Sequence, residues 1–239
     1  MLALLVEARV RRLLVVVPSD ALRTQLAGKF ETLWLLGALG VLPDGAQLPS
    51  VGVITGRPTD VDEMQTFIAS SQVVVSTPNA LASAPADVRS VLFDACDALF
   101  FDEAHHVRAS TWTQIRDAFA GKKVVQFTAT PFREDGQHLQ GRFAYVFPLR
   151  EAQADGVYSR INYESVYDLI DLDAAIAGRA IEILDQDLEE GLDHILMARC
   201  KSRTDAERVH AIYRETALAY KPVIMHSGIA QKRRDAALE

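Results

Sequence analysis

The 239-residue chain has only two cysteines, Cys96 and Cys200, set far apart from each other. This excludes a disulfide framework and a zinc ribbon, and it fits a reducing, cytoplasmic setting. A basic footprint is also missing: 25 Lys and Arg against 32 Asp and Glu leave a net charge of -7, so any contact with nucleic acid must be local. Basic residues gather only in short clusters, Arg9 with Arg11 and Arg12, Arg199 with Lys201 and Arg203, and Lys232 to Arg234, of a kind that usually forms a solvated face. Long apolar runs are absent too. The opening Met1-Leu2-Ala3-Leu4-Leu5-Val6 is broken by Glu7 and Arg9, and its arginines follow the apolar run instead of preceding it. No small-residue cleavage site follows, so neither a signal peptide nor a membrane span is predicted. No internal repeat or low-complexity segment interrupts an ordinary globular composition of 49% hydrophobic and 24% charged residues.

What is present is alternation. Leu13 to Val17 reads as a buried strand, followed by a helical stripe of Leu22, Leu26, Phe30 and Leu33. Val51 to Ile54, Val73 to Val75 and Lys123 to Phe127 read as further strands. Trp112, Ile115 and Phe119 mark a helix that a Thr111/Gln114 capping box would start. Strands alternating with helices of this length imply an α/β fold with a parallel sheet. The rhythm breaks over 141–175. A second α/β pattern follows: Ile181, Leu184 and Leu188 on a helix, Ile195 to Ala198 as a buried strand, a helix capped by Thr204 with Glu207, and Pro222 to Met225 as another strand. The expected organisation is a first lobe over 1–150, a connector over 151–175 and a partial second lobe over 176–239.

The chemistry concentrates where strands end. Ala98-Leu99-Phe100-Phe101 runs into Asp102, Glu103, Ala104, His105 and His106. α/β proteins place their sites at the carboxyl ends of such strands. There the first carboxylate can hold Mg²⁺ while its neighbour accepts a proton from an attacking water. The same pair equally suits a helix N-terminus, where acidic residues complement the dipole. Thr128-Ala129-Thr130-Pro131 follows the last strand of the first lobe and can be a plain turn ended by proline. Pro18-Ser19-Asp20-Ala21-Leu22-Arg23 and Ser76-Thr77-Pro78 each follow a strand and open a helix. Free N–H groups at those helix starts can grip phosphates, or Ser19 and Thr77 can be simple caps with Pro78 at the first helical position. The His-Glu-x-x-His spacing of a helical zinc site is absent around His105 and His106.

In this order, Pro-Ser-x-x-Leu-Arg-x-Gln, Ser-Thr-Pro, Asp-Glu-Ala-His and Thr-Ala-Thr-Pro resemble motifs Ia, Ib, II and III of superfamily 2 helicases. Phe101 to His106 and Thr128 to Arg133 are similar to the bacterial DEAD/DEAH-type group related to restriction-enzyme translocating subunits. Ala198 to Ser202 resembles motif IV, and His226-Ser227-Gly228 the segment after it. The resemblance implies two RecA-like lobes that bind ATP and Mg²⁺ and move along nucleic acid, DNA more than RNA. It implies that Asp102 holds Mg²⁺, that Glu103 orients and deprotonates water, and that His105 couples to Thr128, Ala129 and Thr130. Pro18, Ser19, Arg23, Thr77 and Pro78 would lie along the nucleic-acid backbone. His106 matches the subgroup without an assigned role.

One family element is missing from the chain. No G-x-x-x-x-G-K-[ST] phosphate loop occurs; Gly28-Lys29 and Gly121-Lys122, the only Gly-Lys pairs, lack both the first glycine and the hydroxyl. Leu2 to Val10 resembles the helix that follows that loop, and Glu239 precedes the family's motifs V and VI with their arginine fingers. The expectation is therefore a helicase part truncated at both ends, with Val124 to Phe127 left as an unpaired apolar edge and ATP hydrolysis at background rate. A separate chain supplying the loop would restore the cradle. The alternatives are a non-catalytic module that binds nucleic acid or a partner, and a decayed fragment without a stable fold.

Overall fold

In the computed structural model, residues 1–103, 109–130, 141–226 and 228–229 are described. They form two units, Met1–Ala144 and Tyr145–Glu239. In the first, α1 (Leu2–Glu7) leads to β1 (Leu13–Val16), then α2 (Asp20–Thr32) and α3 (Trp34–Ala38). There follow β2 (Val51–Val53), α4 (Val61–Ala69), β3 (Val73–Ser76), α5 (Pro78–Ser83), α6 (Ala86–Ala95), β4 (Ala98–Asp102), α7 (Ala109–Ala118) and β5 (Lys123–Phe127). The five strands make one sheet in the order β2-β3-β1-β4-β5, every pairing parallel. This is the parallel α/β sheet that the strand-helix alternation implies.

The period of two along each strand sorts its side chains to the two faces of the sheet. Leu14, Val16, Val74, Leu99 and Phe101 pack against α4 to α7 through Met64, Ile68, Leu81, Leu92, Ile115 and Phe119. Leu13, Val15, Val73, Val75 and Phe100 pack on the other face against Leu5 of α1 and Ala27 and Phe30 of α2. Strands covered on both faces are largely apolar, which is why β1 and most of β3 and β4 are hydrophobic runs. β5 pairs with β4 alone among the described residues and is only half-buried, the outer edge expected for Val124 to Phe127. At β2, Gly52 is required, because a Cβ there would lie 2.5 Å from Phe67 Cζ and closer still to Ser71 Oγ.

The two edges of this sheet differ in polarity. At the amino edge, cations cap helix ends: Arg12 donates to the Ser71 carbonyl just after α4 and to that of Ala95 in α6, and Lys122 to those of Phe93 and Asp94 in α6. At the carboxyl edge, α2, α4 and α5 all begin, each with a side-chain cap from Ser19, Asp60 or Thr77.

The second unit contains α8 (Leu149–Ala154), α9 (Leu172–Glu189), α10 (Arg203–Thr216) and a 3-10 turn, Leu218–Tyr220. The strands expected at Ile195 to Ala198 and Pro222 to Met225 do not form: both segments lie outside any ladder. Leu196 packs against the α9–α10 layer, but Ile195 is 90% and Met197 87% exposed. The alternation of a strand is present without a hydrogen-bonded neighbour, and it is the neighbour that makes a strand. Two caps also shift. α10 starts from Ser202, whose hydroxyl accepts from Asp205 N at 3.1 Å, not from Thr204. α7 is already helical at Ala109, so Thr111 lies inside it.

Candidate active site at the carboxyl edge

Parallel register brings the sequence-predicted residues to one line. Val16 is level with Ser76 and with Phe101, and Asp102 with Phe127. Thr77-Pro78, Pro18-Ser19, Asp102-Glu103 and Thr128 therefore follow one another across β3, β1, β4 and β5 at the same edge. After β1 the chain turns to the face covered by α2; after β4 it turns to the face covered by α7. Where the connections of neighbouring strands leave to opposite faces, as after β1 and β4 here, open α/β sheets have the crevice in which they bind ligands.

Asp102 and Glu103 stand in that crevice, both half-buried. Burial, and then the adjoining Glu103 carboxylate, raise the Asp102 pKa above its ordinary value. A backbone hydrogen bond at Glu103, the Lys29 ammonium and the chain's amino terminus pull the other way. Glu103 has φ 46°, the left-handed region that side-chain-bearing residues rarely adopt. Such a conformation costs on the order of 1–3 kcal/mol and persists where surrounding structure imposes it, often at functional sites. Two adjacent carboxylates supply hard oxygen donors, which suit a divalent cation such as Mg²⁺. No group of three or more metal-ligating side chains occurs among the described residues. Ala104, His105, His106 and Pro131 to Arg133 lie outside the described residues.

The Thr128 hydroxyl accepts from Thr130 N at 3.1 Å and donates to Thr130 O at 2.7 Å, closing a tight turn around exposed Ala129. Ser19 Oγ accepts from Leu22 N at 3.3 Å, and Thr77 Oγ1 from Ala80 N at 3.3 Å, so both hydroxyls serve as helix caps. Pro78 occupies the first helical position of α5. These helix starts supply partial positive charge to a chain of net charge -7. Arg23 is placed differently from its neighbours: it is 8% exposed, its guanidinium held 2.6 Å from the Asp20 carboxylate, and its Nε has no hydrogen-bond partner among the described residues. Its side chain orders Asp20 at the surface. Lys29, part of a discounted Gly-Lys pair, influences Asp102 across the fold, which no spacing in the sequence signals. Cys96 is no nucleophile, since burial pushes its thiol up to about 12. In the second unit, the motif IV-like segment ends in the Ser202 cap of α10, and His226 Nδ1 accepts from Gly228 N at 3.0 Å.

Residues 1–133 match the family model described as "Type III restriction enzyme, res subunit". No curated protein matches the sequence. Among solved structures, 36 chains match. One, described as "Crystal Structure of DUF1998 helicase MrfA", aligns over 97% of this chain at 15% identity and a TM-score of 0.48. The alignment covers 35% of that structure, so the chain spans about a third of its length.

Proposed function

The chain belongs to the type III restriction enzyme res-subunit family, which is related to the superfamily 2 helicases, and from that premise we propose that it is part of an ATP-dependent translocase acting on DNA. The observation that carries this reading is the Asp102-Glu103 pair in the crevice between β1 and β4, with Glu103 in a left-handed conformation. Asp102 is the residue that would hold Mg²⁺, which when bound would neutralise charge on the phosphate oxygens. Glu103 is the base that orients and deprotonates a water, held in place by its constrained backbone. His105 would couple the pair to the turn of Thr128, Ala129 and Thr130. The strand backbone would run over the helix starts at Pro18-Ser19 and Thr77-Pro78, with Asp20 kept in place by Arg23. We assign residues 1–150 to the first lobe, 151–175 to a connector and 176–239 to the second.

No phosphate-loop sequence lies within residues 1–239, so the β- and γ-phosphates lack their main cradle on this chain. We therefore expect ATP hydrolysis at background rate by this chain alone, with activity restored when a separate chain supplies the loop. Phosphate release measured with and without single-stranded DNA tests this. Equal background rates for the unaltered chain and Glu103→Gln are expected; robust activity of the unaltered chain that Glu103→Gln abolishes would overturn the expectation. Salt-dependent strand binding without hydrolysis would instead favour a non-catalytic binding module, the second reading, which the capped helix starts also support.

A further inference from the structure

The second unit holds a backbone edge that nothing within the chain uses. Residues 193–201 make no backbone hydrogen bond among the described residues, whether in a ladder, a turn or a cap. Leu196 packs against the α9–α10 layer, while Ile195 and Met197 are left in solvent. The period of two then sets Asp193, Ile195, Met197 and Arg199 on one face, and all four are exposed. Unpaired N–H and C=O groups beside exposed aliphatic side chains are a template for another strand.

The order of residues decides which strand fits. Asp193 and Arg199 make no ion pair among the described residues. Six residues of extended chain hold them about 20 Å apart, so they cannot meet each other within one copy. They are, however, equally spaced about Leu196, as are Ile195 and Met197. Turned end for end about Leu196, the segment sets Asp193 opposite Arg199 and Ile195 opposite Met197. A two-fold axis makes each of these cross-strand pairs twice, with no like charges opposed. Moving the axis to Met197 would set Ile195 against Arg199, and moving it to Ile195 would set Met197 against Asp193. Pro222 to Met225 is a poorer edge. Pro222 has no N–H, its carbonyl accepts from His210 Nε2 at 3.1 Å, and between Leu218 and Ile229 there is no acidic residue to meet Lys221.

We propose that a second copy of this chain pairs with this edge, antiparallel across a two-fold axis at Leu196, so that both α9–α10 layers back one shared sheet. The pairing does not depend on the nucleic-acid reading above. One short ladder buries less than the usual ~800 Å² per partner, so the affinity expected is micromolar. Sedimentation velocity of the whole chain between about 1 and 100 µM should show a single exchange between monomer and dimer. Asp193→Arg and Arg199→Asp each oppose like charges twice per dimer, and each should raise the dissociation constant about tenfold. The two together restore opposite charges in the same register and should return the constant to within about threefold of the unaltered value. Both side chains are exposed, so circular dichroism should read the same helicity in every variant. Tyr163→Ser, at an exposed aromatic ring away from this edge, should leave the constant unchanged. A chain that stays monomeric over the whole range, or that assembles past two copies, overturns the proposal. So does a dimer that ignores the charge reversals, that the double variant fails to restore, or that Tyr163→Ser dissolves.

Discussion

The two units carry the same kind of apolar segment to opposite ends. In Met1–Ala144, Val73 to Val75 and Leu13 to Val17 are fully buried because each strand has parallel neighbours and helices on both faces. In Tyr145–Glu239, Ile195 to Ala198 and Pro222 to Met225 have no ladder, and among the described residues the buried hydrophobics are Ala152, Ala177, Tyr213 and Ala217. A cavity of about 380 Å³ lies between α9, α10 and these segments. Apolar sequence therefore stores a capacity for burial, and pairing decides whether it is used. The first unit closes its core; the second presents Tyr163, Tyr167, Leu169, Ile170 and Met197 to solvent.

The sharpest contrast should come from truncating one side chain in each unit. Phe100→Ala, in the middle of β4, should destabilise the first unit by about 3–5 kcal/mol, whereas Ile195→Ala, at 90% exposure, should stay within about 0.5 kcal/mol. Denaturant midpoints at constant m-value measure both, and equal losses would break the comparison. Next in size, Gly52→Ala forces a methyl into Phe67 and Ser71 and should cost about 1–3 kcal/mol. Losses localised by hydrogen exchange to β2 and α4 would sharpen the contrast, since no glycine in the second unit meets so close a contact among the described residues. Ser202→Ala, removing the α10 cap, should cost about 1 kcal/mol, seen as reduced helicity and earlier melting of the second unit only.

The smallest effect should be a gain. Because the folded-state pKa of Asp102 is raised, its contribution is full below the unfolded carboxylate value and is lost as pH rises through the folded one. At neutral pH its ionised form therefore costs stability. Asp102→Asn should raise the melting temperature near neutrality, with the gain vanishing in acid. An unchanged or lower melting temperature at neutral pH would mean that Asp102 is already compensated within the chain.

Much of the first unit was legible in the sequence because burial on both faces leaves an uninterrupted apolar run, and Ser19, Thr77 and Pro78 announce where helices begin. The alignment of Asp102-Glu103 with Thr128 was legible as motif order. Other features were not. The resemblance sets Arg23 along the nucleic-acid backbone, but the turn of α2 on which it sits faces the fold, where its guanidinium is buried and paired with Asp20. In the second unit the same local alternation occurs without a neighbouring strand, so the pattern of Ile195 to Ala198 and Pro222 to Met225 does not by itself distinguish a strand from an unpaired segment.

By itself, the sequence determined the parallel α/β class, the strand ends at which the candidate site residues lie, and the absence of a phosphate loop within its 239 residues. These follow from composition, period and spacing, which are local. Only the tertiary structure decided the strand order β2-β3-β1-β4-β5, the crevice where α2 and α7 diverge, the left-handed backbone of Glu103, and which apolar runs become strands. Those depend on hydrogen bonds and contacts between residues far apart in the chain, and local pattern does not encode which partner arrives.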